Sequence, residues 1–405
     1  MMIDEVYYSL EVAPVVWALL GAMVLAVAVV SWLLWRRLVR VCRKVREDDA
    51  AAAELASGGD GGAEFPSVSV IVYSQADGHN LRTLLPQILE QDYPAPMEVI
   101  VVNDESGDNT ETIVSELELR YSNLYMTFAP ERSRNLSRRK LSITLGIKAA
   151  RYDALMLTCG NCRVESPLWL RAMMRHIATG SEVVIGYAAP TGDELCDEDC
   201  RKRRRAFDDV WHALRYLSGA IGGHPFMGTG YNLAYARRLF FEHKGFSKTL
   251  HLNYGDDDIF VNEIATGDNT AVELSETARV RAIEHSPAEL HDSYRLRRDF
   301  TARYLPRTPY VSMAAVSVLW WMWLVCGVAA SVMSLPSLIG AAVAVVCALV
   351  AVVPTMVLWR RASRALDSRG LLWTVPWMIW TRPLRTLRHR WRGRKVRRSQ
   401  LTHVI

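Results

Sequence analysis

The run Val15–Trp35, VVWALLGAMVLAVAVVSWLLW, has no charged side chain and constrains this chain more than any other segment. About 20 apolar residues cross a hydrocarbon core, so the run reads as a spanning helix. A cleaved signal peptide needs a basic start, whereas Asp4, Glu5 and Glu11 precede this run and no Lys or Arg does. Arg36, Arg37, Arg40, Arg43, Lys44 and Arg46 follow it. Basic residues gather on the cytoplasmic side of a span. The expectation is a retained anchor, N-terminus outside, with everything after Arg36 in the cytoplasm.

Two more uncharged runs, Val311–Met333 and Leu338–Trp359, are joined by Ser334-Leu335-Pro336-Ser337. So short a connection predicts an antiparallel hairpin. Arg295, Arg297, Arg298, Arg303 and Arg307 precede the pair, and Arg360, Arg361 and Arg364 follow it. Both flanks are then cytoplasmic, in one consistent three-span topology. Neither run has the polar face of a soluble surface helix. Leu371–Trp380 is apolar but too short to cross at about 1.5 Å per residue, and its tryptophans suit the membrane interface. The Arg-rich tail from Arg382 to Arg398 reads as a contact to anionic lipid headgroups. Nucleic-acid binding, the competing reading of such a tail, is set aside because of its place beside a membrane.

Composition supports a folded, membrane-associated chain. Its 405 residues are 50% hydrophobic, which excludes a disordered chain or a small disulfide scaffold. The net charge of +5 hides strong clustering of the basic residues. Seven cysteines, an odd number with Cys326 and Cys347 inside apolar runs, fit a reducing compartment.

Asp48–Ala63 is rich in Ala, Gly and acidic residues and reads as a linker. Beyond Pro66, apolar strand-like runs alternate with helical spacing. The strands are Ser67–Tyr73, Val99–Val102, Leu124–Phe128, Ala154–Leu157 and Glu182–Tyr187, with helices at Asn80–Gln91 and Thr110–Tyr121. That alternation predicts a mostly parallel α/β sheet whose ligands sit at the carboxyl ends of its strands. The expected division is an anchor over 1–36, a basic juxtamembrane segment and linker over 37–65, a soluble domain over 66–306, a spanning hairpin over 307–360, and an interfacial segment and basic tail over 361–405. Asp104 lies just past the second strand, where a carboxylate can bind a nucleotide's base or ribose. Asp108 reads as the cap of the next helix.

The stretch SVSVIVYSQADGHNLRTLLPQILEQDYPAPMEVIVVNDESGDNTE resembles the N-terminal half of family-2 inverting glycosyltransferases with the GT-A fold. The likeness continues through SRRKLSITLGIKAARYD, GTGYNLAYARRLFFEHKGF and YGDDDIFVNEIA. It is similar in particular to membrane-anchored bacterial members that make surface polysaccharides. The resemblance implies a nucleotide-sugar donor and a lipid-linked or nascent glycan acceptor. Asp104 and the loop Ser74–Asp77 would line the nucleoside pocket, and Asn161 would lie near the donor. Arg139 and Lys140 would lie near the donor phosphates, where cations stabilise the leaving diphosphate. Gly228, Thr229 and Gly230 would form the acceptor-side loop with Asp256 and Asp258. Asp257 would be the base that takes the acceptor's hydroxyl proton. Capping of the helix from Ile259 fits Asp256 or Asp258 better than Asp257.

One family feature is replaced. Members carry Asp-x-Asp after the fourth strand, holding Mg²⁺ or Mn²⁺ on the diphosphate; here Cys159 and Asn161 stand instead. Hard divalent cations want oxygen ligands, so the residues predict a weak site. Three readings stay open. The metal is held elsewhere, by Asp257, Asp258 or His285; or the diphosphate is neutralised by Arg139, Lys140 and Arg163; or transfer is lost and a binding subunit of polysaccharide assembly remains. The Gln-x-x-Arg-Trp pattern of processive synthases is missing near Arg295–Asp299. Cys159/Cys162 and Cys196/Cys200 have spacings seen in zinc sites, with ordinary buried and loop thiols as the alternative.

Overall fold

The computed structural model describes residues 14–59, 64–75, 77–104, 109–128, 136–191, 199–283, 295–335, 339–368 and 372–393. His285, Cys196, Asp108 and the tail from Arg394 lie outside the described residues, and so does the side chain of Cys200. The chain divides into two compact units. One comprises 43–205 and 216–306; the other gathers 14–42, 206–215 and 307–392.

The first unit is built on a seven-stranded sheet, ordered β3-β2-β1-β4-β8-β6-β9. Its strands are β1 Val68–Ser74, β2 Met97–Asn103, β3 Leu124–Phe128, β4 Ala154–Cys159, β6 Val183–Ile185, β8 Leu233–Ala236 and β9 Thr270–Val272. β3, β2, β1 and β4 are parallel, and β8 runs antiparallel to both β4 and β6. The sheet is therefore mostly parallel, as expected. Every residue of β1 and β4 is buried, which explains their continuous apolar runs. A three-stranded sheet pairs β10 Val280–Ile283 with β5 Cys162–Val164 and β7 Ala188–Thr191. Helices Gly78–Leu89, Thr110–Glu118 and Arg138–Ala149 link the parallel strands. The last is capped by Ser137, whose hydroxyl accepts from Lys140 N. Asn109 occupies the cap position of Thr110–Glu118 without a side-chain capping bond.

The expected linker is not one at its start. A single helix runs Pro14–Ala56, through the acidic and alanine-rich stretch. Alanine is the best helix former, so composition read as a linker continues the helix instead. Asp48 is buried, accepting from Leu274 N at 2.9 Å and pairing with Lys44 Nζ at 2.6 Å and Arg175 Nη2 at 3.0 Å. The helix ends where Gly58 takes a φ of +86°, a conformation that costs glycine little.

In the other unit, Arg307–Met333 and Ile339–Ala365 are the hairpin helices. With Pro14–Ala56 they give three helices long and apolar enough to cross a membrane. Gly327 lets Met23 Sδ come within 3.3 Å of where a Cβ would stand, the close approach small residues permit between spanning helices. Trp35 Nε1 donates to Thr355 Oγ1 at 2.9 Å. Within the segment read as short and interfacial, Val375–Trp380 belongs to a longer helix, Val375–Gly393. Its Trp380 stacks on Trp323, with centroids 5.8 Å apart. Arg382 lies 4.4 Å over the Trp211 ring and Arg385 pairs with Asp208, so these two cations contact protein.

Candidate active site

In a sheet ordered 3-2-1-4, chain connections leave β1 in opposite directions, and a crevice opens at the carboxyl ends of β1 and β4. The register sets Tyr73 opposite Cys159 and Ser74 opposite Asn103 along that edge. Tyr73 donates its hydroxyl to Asp104 Oδ2 at 2.6 Å, and Arg138 Nε lies 3.0 Å from Asp104 Oδ1. Burial raises the Tyr73 phenol well above its ordinary range, so it stays a donor to Asp104. Ser74 is fully buried beside it, its carbonyl accepting from Asp104 N. Asp77 accepts from Gln75 N at 3.1 Å.

Arg139, in the first turn of Arg138–Ala149, projects to the same edge. Its guanidinium lies 4.5 Å from the Tyr73 ring centroid, its Nε donates to Asp256 Oδ2 at 2.6 Å, and its Nη2 is 3.4 Å from Cys159 Sγ. The acceptor-side loop joins this group. Gly230 N donates to Asp257 Oδ2 at 3.1 Å, and a Cβ on Gly230 would meet Arg139 Nη2 at 3.3 Å and Asp257 Cβ at 3.6 Å. Glycine here is what lets the loop pack on the charged cluster.

The acidic triad is presented by a turn at Gly255, whose φ is +98° and where a Cβ would strike Ile259 at 2.4 Å. The turn starts the helix Asp258–Ile264 with Asp257 as its N-cap, Oδ1 accepting from Asp258 N at 2.9 Å. This corrects the expectation that a neighbour of Asp257 caps the helix. The three carboxylates have different environments. Asp256 bridges Arg139 and Arg297. Burial alone would raise Asp257, but Arg297, a hydrogen bond with the Asp258 side chain and Arg139 hold it well below the usual carboxylate range. Asp258 goes the other way: burial and then the Asp257 charge push it up to about 8. It accepts from the Thr301 hydroxyl at 2.6 Å.

Arg297 joins this cluster, and the sequence did not single it out. It lies on the helix 295–301, with Nη2 at 2.8 Å from Asp257 Oδ1 and 3.2 Å from Asp256 Oδ1. In the sequence it read as one of several basic residues before a span and as part of the stretch nearest the missing Gln-x-x-Arg-Trp pattern. The available signal was its spacing from Thr301, four residues and one helical turn, since both side chains meet the triad.

Other residues are placed elsewhere. Lys140 is fully buried, its Nζ donating to the Thr249 carbonyl at 2.6 Å, and burial lowers its ammonium to about 8. It supports the fold beneath the site instead of lining the donor crevice. Asn161 points its amide at the Ile283 carbonyl, 3.5 Å away. Gly228 packs against Val261 and Leu233. Thr229 is half-buried, its hydroxyl 3.5 Å from Tyr231 N. Arg163 is exposed on β5.

The residues at the end of β4 do not fit a hard divalent cation. Cys159 is buried, burial raises its thiol, and a guanidinium already stands against it. A protonated thiol beside a positive charge is no ligand for Mg²⁺ or Mn²⁺. Among the described residues, one group could supply three ligand atoms: Asp48, His176 and Glu273, within 4.8 Å of one another. Lys44 and Arg175 already neutralise its two carboxylates, and Arg175 Nη2 bonds Glu273 Oε2. It is a compensated ion network that holds the end of the first helix.

Residues 67–240 match the family model described as Glycosyl transferase family 2. Among solved structures, the chain is similar to the mannosyltransferase PcManGT from Pyrobaculum calidifontis, in complex with GDP-Man and Mn2+. The TM-score is 0.48 at 18% identity, over 85% of this chain and 96% of that one. It is also similar to TarS 1-349 of S. aureus in complex with UDP-GlcNAc, with a TM-score of 0.40 at 17% identity, over 63% of this chain and 66% of that one. Comparison with curated proteins gives no match. Over residues 67–240 this chain therefore carries a glycosyl transferase family 2 domain, the domain of a glycosyltransferase.

Proposed function

We propose that the chain transfers a sugar, with inversion, from a nucleoside diphosphate sugar to a lipid-linked or nascent surface-glycan acceptor at the cytoplasmic face of a bacterial inner membrane. The observation that carries this reading is the convergence of Arg139, Asp256, Asp257 and Gly230 at the carboxyl edge of β4. Asp257 is the base. As the acceptor oxygen bonds to the anomeric carbon, its proton passes to Asp257; the carbon–oxygen bond to the diphosphate breaks and its electron pair stays on the phosphate oxygen. Asp104 and Ser74 serve the nucleoside side. Arg139 meets the charge developing on the diphosphate, an arginine task because its planar fork matches phosphate oxygens and stays charged. No step is routed through a metal, because the donor set does not suit one.

The three long apolar helices and their basic flanks support membrane anchoring with the catalytic unit inside. A second reading, a catalytically silent binding subunit, is favoured by one feature: Asp257 is already ion-paired to Arg297. The two separate on nucleoside diphosphate release by the full chain in detergent, with UDP-glucose, UDP-N-acetylglucosamine and GDP-mannose as donors and a lipid extract as acceptor source. Release dependent on the extract supports transfer. Donor binding without release with any donor supports the silent subunit.

A further inference from the structure

Asp257 has two oxygens in unequal surroundings. Oδ1 accepts from Arg297 Nη2 at 2.8 Å and from Asp258 N at 2.9 Å. Oδ2 accepts from Gly230 N at 3.1 Å. Oδ1 therefore takes two donors, and Oδ2 takes one, from the acceptor-side loop. The Arg297 nitrogen that fills Oδ1 also lies 3.2 Å from Asp256 Oδ1, while Asp256 Oδ2 is held by Arg139. Arg139, Asp256, Arg297 and Asp257 thus form a chain of alternating charge. Arg297 is itself held: its guanidinium lies 5.5 Å from the Tyr254 ring centroid, and Thr301, one turn later on its helix, donates to Asp258.

Resting on the assignment of Asp257 as base, we propose that Arg297 is its positioning residue. By occupying Oδ1 and bridging to Asp256, Arg297 directs Oδ2 toward the acceptor hydroxyl. The proton from that hydroxyl therefore arrives on Oδ2. Arg297 makes no contact with the reacting atoms in this account. Its removal leaves Asp257 held by the Asp258 and Gly230 amides without the guanidinium, and a buried carboxylate pair then loses the cation between its members.

The experiment measures nucleoside diphosphate release by the full chain in detergent, with the three donors and the lipid extract, for the wild type, Arg297→Ala, Arg297→Lys and Asp257→Asn. For Arg297→Ala, kcat is expected to fall ~10²-fold while donor KM changes less than about threefold, the pattern of a lost transition-state arrangement. Millimolar guanidinium ion should restore at least ~10-fold of that loss, and Arg297→Lys should fall between wild type and Ala. Guanidinium should not restore Asp257→Asn. A raised donor KM with kcat unchanged overturns the proposal and makes Arg297 a donor-binding group. A kcat loss that neither guanidinium nor lysine recovers also overturns it, leaving a structural role. If Arg297→Ala does not fold, Arg297→Lys decides: wild-type kcat supports positioning by charge, and a loss as deep as that of Asp257→Asn contradicts it. Near-wild-type turnover by Asp257→Asn removes the underlying base assignment instead, and absence of release by the wild type with every donor removes both.

Discussion

Arg139 Nη2 lies 3.4 Å from Cys159 Sγ at the carboxyl end of β4, so a guanidinium stands against the position where the family resemblance implies a metal-binding carboxylate. A thiol kept protonated by burial tolerates that neighbour without competing for it. A carboxylate there would pull Arg139 away from Asp256.

Nucleotide binding is therefore expected to be insensitive to chelation. Calorimetry with UDP and GDP, with and without EDTA, should show an affinity change below tenfold, under about 1.4 kcal/mol. Arg139→Lys should weaken binding by about tenfold or more, since lysine lacks the planar fork. Lys140→Met should act mainly on stability, because its ammonium sits on the Thr249 carbonyl. A hundredfold loss with EDTA would restore a metal to the site.

Asp258 gives a pH signature. Its folded-state pKa of about 8 lies above the ordinary carboxylate value, so the folded protein holds a proton that the unfolded chain releases at lower pH. Stability from this group is present below about pH 4 and is lost as pH rises through about 8, by at most ~1.4 kcal/mol per pH unit. Asp258→Asn cannot lose that proton. Melting curves should show it gaining on the wild type between pH 5 and pH 8; parallel curves would contradict the assignment.

Five of the ten described strands, β1 to β4 and β6, were legible in the sequence in their order of appearance. Buried strands such as Val68–Ser74 and Ala154–Cys159 are continuous apolar runs, and an acidic residue after such a run marks a site edge. What was not legible lay in contacts between segments far apart in the chain. Arg297 reads as a membrane flank until its helix is seen to face Asp256 and Asp257. Lys140 reads as a phosphate ligand until Thr249 is seen to take it. Asp48 reads as part of a linker until Arg175 and Leu274 are seen to hold it.

That last contact is testable. Asp48→Ala removes a buried partner of Lys44 and Arg175 and should destabilise the protein by up to ~3 kcal/mol, because it leaves buried cations uncompensated. Thermal unfolding of the detergent-solubilised chain checks this. An unchanged melting temperature would return the segment to the behaviour of a linker.

Gly255→Ala should be disproportionately harmful for so small a change. It forces a side chain into a φ of +98° and against Ile259, at the turn that presents all three aspartates. A cost of ~1–3 kcal/mol is expected from the backbone alone. Circular-dichroism melting and turnover should both fall, whereas Gly58→Ala, where no neighbour lies within 4 Å, should cost less in stability and leave turnover near wild type.

If Asp257 accepts the acceptor's proton, as we propose, the rate of nucleoside diphosphate release by Asp257→Asn shows it. With a donor that the wild type turns over, the variant should retain donor affinity within a few-fold and lose ~10²–10⁴-fold in kcat. Near-wild-type turnover by Asp257→Asn would contradict the account.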